Sequence, residues 1–575
     1  MPVHNEEVAR AFDEMADLLS LKDENPFRIR AYRRAAQNIR AQRRELAERI
    51  ERGEDLDEIA GIGKDLAGKI SELVTTGRLR ALEQLRRQVP SGLIELMAVP
   101  GLGPKRVRTL FTQLKVRGRA DLERIARSGA LARVPGFGPK LTAQISGELK
   151  VARPKERRWL RSEAAQFAEP LAAYIRRIRG VGEVLIAGSY RRGRDTVGDI
   201  DVVVSATNPA AVTEALHRYD EISSWAAEGS KRVTATLRSG LKIDVRISDP
   251  SSFGATQHYF TGSKAHVIRV RRLAQERKLK INEYGVFRGR RPIAGKTEES
   301  LFAAVGLPWI PAELREDRGE IEVARQGRLP ALVTREDLRG DLHAHTDATD
   351  GQDGLRTMAL AARAAGLEYL AITDHAEHLG IVHGLDERRL RKQMEAIDRL
   401  NAELKGIRLL KGIEVDILAD GSLALPDALL AELDLVVAAV HSHFDLSASR
   451  QTMRVLRAMD HRAFSILGHP GGRLIGERRP LALDLERILK AAKARPCFME
   501  LDSQPQRLDL DDMQCRLARE QGVLVSIASD AHAAAQFDYL GGGTLQARRG
   551  WLTAADVVNT RPLTEVRRLL KSTIT

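Results

Sequence analysis

Residues 188–205 read GSYRRGRDTVGDIDVVVS. The stretch runs from a glycine turn through a basic loop into an apolar segment, the pattern of a loop feeding a buried strand. Asp199 and Asp201 stand two apart at the start of that strand, so both carboxylates share a face. A third acidic residue, Asp244, lies inside another apolar strand, LKIDVRI (241–247). Three carboxylates at one sheet edge repel each other unless cations sit between them. Two Mg²⁺ or Mn²⁺ ions fit, and they suit phosphoryl transfer, one activating a hydroxyl and one holding a triphosphate. Gly188, Ser189, Arg191 and Arg192 offer backbone, hydroxyl and cationic donors for the phosphates. Asp-x-Asp alone would as readily be a turn; the basic loop and the third in-strand aspartate decide against that.

The surroundings of this stretch are α/β in pattern. A helix, ERRWLRSEAAQFAEPLAAYIRRI, leads into strand VLIAG (184–188), and strand RVTATLR (232–238) follows. Further on, residues 311–340 are rich in proline and charge and read as a linker. Beyond it, apolar strands such as YLAIT, RLLKGIEV, LDLVVAAV, CFMEL and VLVSIAS alternate with helices, the look of a (β/α) barrel.

Metal-type residues recur at the ends of those strands. His343 and His345 share a face in DLHAHTDATDGQDG, and His375, Glu414, His441, His469, Asp530 and His532 follow in order. Imidazoles mixed with carboxylates suit Zn²⁺, Mn²⁺ or Fe²⁺ better than Mg²⁺. Any one of these histidines could be structural; the ordered series is hard to explain by packing. His378, His383 and His461 lack strand-end context and read as surface or packing residues, and His443 is ambiguous.

Upstream, residues 5–52 read as amphipathic helices, with Ile29, Tyr32, Ala36 and Ile39 at helical spacing. A pattern then recurs three times: IAGIGKDLAGKI (59–70), VPGLGPKRVRTL (99–110) and VPGFGPKLTAQI (134–145). Each places paired glycines before a helix, exposing backbone N–H groups that suit a phosphate oxygen. The repetition, flanked by Lys or Arg, points to sequence-independent binding of a DNA backbone.

Charge divides along the same line. The 575 residues carry a net +14, but residues 1–330 hold +17 and residues 331–575 hold −3. Ten of the fourteen histidines follow residue 340. A basic half suggests a polyanion, and a histidine-rich neutral half suggests metal chemistry. Two cysteines exclude a disulfide scaffold, no apolar run approaches a membrane span, and the opening residues MPVHNEEVARAF, without a basic or an apolar region, lead us to expect no secretory signal. A cytoplasmic, nucleoid-associated location is the expectation.

The three repeats, the GSYRRG–GDID stretch and the downstream segment HYFTGSKAHVIRVRRLAQERKLKINEYGVF (258–287) resemble the family X DNA polymerases, the family of DNA polymerase β. The histidine series resembles the PHP (polymerase and histidinol phosphatase) domain, a distorted (β/α)₇ barrel. Together they resemble the bacterial family X polymerases that carry this domain, along essentially the whole chain. The resemblance implies all-α helix-hairpin-helix domains, an α/β nucleotidyltransferase palm with an α/β thumb, and the barrel. Expected boundaries are 1–85 for a lyase-like helical domain, 86–152 fingers, 153–250 palm, 251–315 thumb, 316–337 linker and 338–575 PHP.

The resemblance also assigns residues. Asp199, Asp201 and Asp244 bind two metals, with Asp244 the candidate base for the primer 3′-hydroxyl. Ser189, Arg192, Gly198 and Arg158 contact the nucleotide, as do Tyr259, Phe260 and Gly262 at its sugar and base. Arg271 falls at a template contact, and Val267 replaces a common Asn that bonds the nucleobase. Gly61, Gly63, Gly101, Gly103, Lys105, Gly136, Gly138 and Lys140 hold DNA phosphates. Lys69 occupies the position of the family's Schiff-base lysine, and a phosphate-binding role is an equal reading of it. Nine PHP ligands for up to three Zn²⁺, Mn²⁺ or Fe²⁺ ions are implied: His343, His345, Asp350, His375, Glu414, His441, His469, Asp530 and His532. Expected activities are gap filling in base excision repair and 3′→5′ exonuclease action by a monomer on gapped or nicked duplex with dNTPs. The alternative is a template-independent nucleotidyltransferase fused to a small-molecule phosphoesterase.

Overall fold

The computed structural model describes residues 3–574 apart from 4, 41, 43, 60, 98, 100, 150–157, 378–382 and 496. Two compact units result: Met1–Arg157 with Leu474–Arg479, and Arg158–Arg473 with Pro480–Thr575.

The first unit is helical among its described residues. Helix Asn5–Leu21 buries Val8, Phe12, Met15 and Leu19, spaced to fall on one stripe. It packs against helix Pro26–Arg40, where Pro26 opens the first turn and Tyr32 meets Phe12 edge to face at 5.5 Å. The three repeats share one geometry. Gly61, Gly101 and Gly136 are left-handed, with φ of 73°, 92° and 85°. Each leads within three residues into a helix: Lys64–Thr76, Pro104–Leu114 and Pro139–Leu149. Gly63 and Gly103 are the N-caps of the first two, with no side chain over the exposed N–H groups.

In the second unit, helix Arg161–Arg176 precedes a five-stranded mixed sheet: β1 Val181–Ile186, β2 Asp199–Ala206, β3 Ile222–Gly229, β4 Arg232–Leu237 and β5 Lys242–Ser248. Its spatial order is β1-β2-β5-β4-β3, with β2 and β5 parallel at the centre. Central strand β2 is buried on both faces, hence its unbroken Val-Val-Val. The sequence pattern misses β3, ISSWAAEG, because an exposed, bulged edge strand carries no apolar alternation.

Helices Phe253–Thr261 and Lys264–Glu276 follow, then an antiparallel sheet of β6 Lys280–Asn282, β7 Gly285–Arg288 and β8 Arg291–Ala294. Glu298 opens the next helix, Glu298–Ala304, and is buried between two arginines. Arg191 donates to it at 2.9 and 2.8 Å, and the fully buried Arg315 also pairs with it. The span 316–337, expected as a linker, is folded. It carries helix Glu320–Arg325, and Glu316, Arg318 and Glu320 all have partners. Its charges at Glu316 and Glu320 are held by partners within the fold.

The rest forms seven parallel strands in sequence order: β9 Gly340–Asp341, β10 Tyr369–Ile372, β11 Arg408–Asp416, β12 Leu435–Ala439, β13 Ile466–Leu467, β14 Phe498–Asp502 and β15 Val525–Ala528. A bridge between Ala344 and Ala531, just past the two edge strands, brings the sheet nearly to closure as a barrel.

Candidate active sites

In the palm, β2 and β5 run in register so that Asp201 and Asp244 are direct Cα partners. Asp199, two residues before Asp201, lies at the exposed start of β2. Burial, then Asp199, then Asp244 push Asp201 up to about 7. Three carboxylates gathered this closely repel one another, and the donor set fits hard divalent ions. Arg232 and Arg246 donate to Asp244 at 3.0 and 2.9 Å. Gly188, at φ 59°, crosses directly over this site: a Cβ there would lie 2.1 Å from an Asp201 carboxylate oxygen. Glycine is therefore the only residue that brings the loop this close.

The remaining sequence-predicted palm and thumb residues fall around this edge. Ser189 and Arg192 lie in the short helical turn Gly188–Arg191 and its cap. Arg192 donates to the carbonyl of Thr261 at 2.8 Å, and Arg191 to the Thr261 hydroxyl at 2.8 Å. The loop thus holds the end of the helix bearing Tyr259 and Phe260, which Gly262 caps. The Arg246 guanidinium lies 4.7 Å from the Phe260 ring, and that of Arg271 lies 5.1 Å from Tyr259. Arg158 donates to the Thr196 hydroxyl and carbonyl at 3.0 and 2.6 Å, which sets it beside Gly198. Val267 is buried in the following helix.

In the first unit, Lys105 is exposed in the first turn after its glycine pair, and the side chain of Lys140 lies outside the described residues. Lys69 is paired with Asp65 one turn earlier.

In the barrel, all nine expected ligands converge at the strand ends. His345, Asp350, His375 and His532 form one group able to hold an ion; His343, His345 and Asp530 form a second; His375, Glu414 and His441 form a third. His469 joins through Glu414, Nε2 to Oε1 2.9 Å. The ring nitrogens Nε2 of His343 and His345 face each other at 3.1 Å. Nδ1 of His345 and Nδ1 of His469 are buried with no hydrogen-bond partner. Buried ring nitrogens without a partner, set among carboxylates, fit metal coordination.

Electrostatics keep the expected carboxylate ligands charged. Burial opposes the Glu414 charge, but His375, His441 and His343 outweigh it and hold the carboxylate well below its ordinary range. Burial likewise opposes the charge on His532, yet Asp350 and Asp530 raise it to about 9. Two orienting carboxylates escaped the sequence reading. Glu500 bonds His343 Nδ1 at 2.7 Å, and Asp416 bonds His441 Nδ1 at 2.9 Å, each turning the other ring nitrogen toward the centre. Both are acidic residues inside apolar strands, CFMEL and GIEVD, the same signal that marks Asp244. His443 is exposed beside the cluster, His383 is exposed, His461 pairs with Asp427 at 2.7 Å, and His378 lies outside the described residues.

Known families match in the same order along the chain. They are a helix-hairpin-helix domain at residues 3–79, a SAM-like helix-hairpin-helix tandem at 93–150, the DNA polymerase beta palm at 158–264 and thumb at 256–316, and a PHP domain at 341–504. One relative, the DNA polymerase/3′-5′ exonuclease PolX of Bacillus subtilis, is 35% identical over 576 residues, covering 99% of this chain and all of that protein. The chain belongs to the family X DNA polymerases with a PHP domain. DNA polymerase lambda of Arabidopsis thaliana is 27% identical over 299 residues, 46% of this chain and 54% of its own length. A probable phosphatase of a Thermoanaerobacter species is 30% identical over 205 residues, 33% of this chain and 78% of its own length. Membership in the PHP-bearing family X polymerases implies DNA binding and divalent-metal use. No helix among the described residues is long and apolar enough to cross a membrane.

Proposed function

We propose that the chain is a DNA-directed DNA polymerase that fills short gaps during repair, and that its barrel trims 3′ ends as a 3′→5′ exonuclease. The observation that carries this is the register of Asp201 on Asp244 beneath Gly188, in a chain whose barrel brings the nine expected metal-type residues together.

In the palm, Asp199, Asp201 and Asp244 would hold two Mg²⁺ or Mn²⁺ ions. Ser189, Arg192 and Arg158 bind the triphosphate, with Gly198 allowing close approach. Tyr259, Phe260 and Gly262 form the floor under sugar and base. Asp244 accepts the proton of the primer 3′-hydroxyl. Val267 offers no hydrogen bond to the nucleobase, so base choice rests on pairing and shape. In the barrel, the nine residues would hold up to three Zn²⁺, Mn²⁺ or Fe²⁺ ions. Divalent cations at the two centres supply Lewis-acid charge for the phosphoryl oxygens and lower the pKa of the attacking oxygen. Glu500 and Asp416 orient the imidazoles. The glycine-led helix starts bind duplex phosphates with an affinity that falls steeply with salt, and Arg271 meets the template strand. The protein acts as a cytoplasmic, nucleoid-associated monomer.

Extension of a one-nucleotide gap by purified protein tests the reading. Incorporation dictated by the template base is expected; untemplated tailing would instead favour a template-independent nucleotidyltransferase.

A further inference from the structure

The palm's phosphate loop is gripped from the barrel side. Arg192 Nε donates to Glu316 at 3.0 Å and its Nη1 to the Thr261 carbonyl at 2.8 Å. Among the described residues these bonds leave the Nη2 edge for a phosphate oxygen. Glu316 is itself fixed by Arg549, whose Nη1 lies 3.0 Å from the same carboxylate oxygen. Arg549 Nη1 also donates to the Arg192 carbonyl at 2.7 Å, and its Nη2 to Asp512 at 2.6 Å. Asp512 in turn accepts from Arg318 at 2.8 Å. The Arg549 side chain is 2% exposed, so this is an interior network rather than a surface pair.

The helix carrying Arg549, Leu540–Arg549, also presses on the loop backbone. A Cβ on Gly193 would lie 2.4 Å from Leu545. At the other end of the loop, Arg473 reaches Asp195 at 3.4 Å while donating to the carbonyls of Arg507 and Leu508 at 2.7 and 2.6 Å. The barrel half therefore contacts the loop's backbone, its arginine's partner and its terminal carboxylate.

We propose that Arg549 is a positioning residue for nucleotide binding: by fixing Glu316 and the Arg192 carbonyl, it holds the Arg192 guanidinium ready for the triphosphate. The proposal rests on the reading of Arg192 as a triphosphate contact. Without Arg549, the nucleotide must order that guanidinium as it binds, which weakens binding. A contact equally strong in ground and transition states changes KM and leaves kcat alone. Because the contact is to phosphate, inhibition by pyrophosphate should weaken in parallel.

The test uses the full-length protein on a gapped duplex, with steady-state dNTP kinetics and pyrophosphate inhibition. Arg192→Met serves as reference beside Arg549→Met, Arg549→Lys and Glu316→Gln. Arg549→Met should raise dNTP KM and pyrophosphate Ki together by roughly tenfold, the scale of one charged hydrogen bond. Its kcat and its hydrolysis of a single-stranded 3′ end should stay within about twofold of the parent. Arg549→Lys, keeping charge but not the three-way reach, should fall between. If Arg549→Met does not fold, Glu316→Gln decides, since it keeps the side chain's shape; a raised KM supports the proposal and an unchanged KM overturns it. If Arg192→Met raises KM while the Arg549 and Glu316 variants do not, the positioning role is overturned. If Arg192→Met itself leaves KM unchanged, the triphosphate reading fails instead. Parallel loss of kcat and hydrolysis in every folded variant also overturns it.

Discussion

Palm and barrel both gather carboxylates at strand ends, yet they are built on opposite plans. The palm offers three aspartates near the start of its two central strands, with Asp199 exposed and Asp244 flanked by Arg232 and Arg246. The barrel buries most of its expected histidine and carboxylate ligands, and Glu500 and Asp416 fix ring orientations. Hard oxygen donors beside the phosphate-binding loop suit cations that arrive with a nucleotide. Buried imidazoles with orienting carboxylates suit cations that stay.

The most severe way to break this contrast is at Glu414, whose oxygens lie 2.9 Å from His469, 3.2 Å from His441 and 3.0 Å from His375. Glu414→Ala should cut 3′-end hydrolysis by about a thousandfold or more, while gap extension stays within about twofold. Parallel nuclease and extension assays check this; equal losses would mean that the two sites are not independent.

Next comes the polymerase half's own buried charge, Glu298 between Arg191 and Arg315. Glu298→Gln strands the fully buried Arg315 and should cost about 3–5 kcal/mol in urea unfolding. Burial opposes the Glu298 charge, but the two arginines dominate and hold its folded pKa far below the ordinary carboxylate range. Its contribution is therefore full above that range and fades as pH falls through the folded value. The variant's deficit should shrink in acid, and a deficit that grew would contradict the assignment.

A smaller effect is expected at Glu500. Glu500→Gln should lower barrel metal affinity by about 10–100-fold without changing Mg²⁺ dependence of gap extension, read by metal analysis during chelator titration. Least of all, Asp65→Asn frees the Lys69 amine of its ion pair. If Lys69 forms a Schiff base, borohydride trapping on a 5′-deoxyribose phosphate end should rise a few-fold, about the worth of an exposed pair. An unchanged yield would favour phosphate binding by Lys69.

Much of this was legible in the chain. Asp-x-Asp, the third in-strand Asp244 and the ordered histidines mark both centres because charge inside an apolar strand needs a reason. The same rule would have found Glu500 and Asp416, which lie in buried strands one step from the obvious ligands. What the sequence hides is long-range pairing. Nothing local joins Arg549 to Glu316 and Arg192, or Arg315 to Glu298, and a charge-rich span such as 316–337 looks like a linker until its partners fold beside it.

Reciprocal inactivation tests the two-centre account most directly. Asp201→Ala and His343→Ala, each assayed for templated gap extension and for 3′→5′ hydrolysis, should each abolish one activity and spare the other. If each variant lost both activities in step, or neither, one chain would not hold two separate metal-dependent centres.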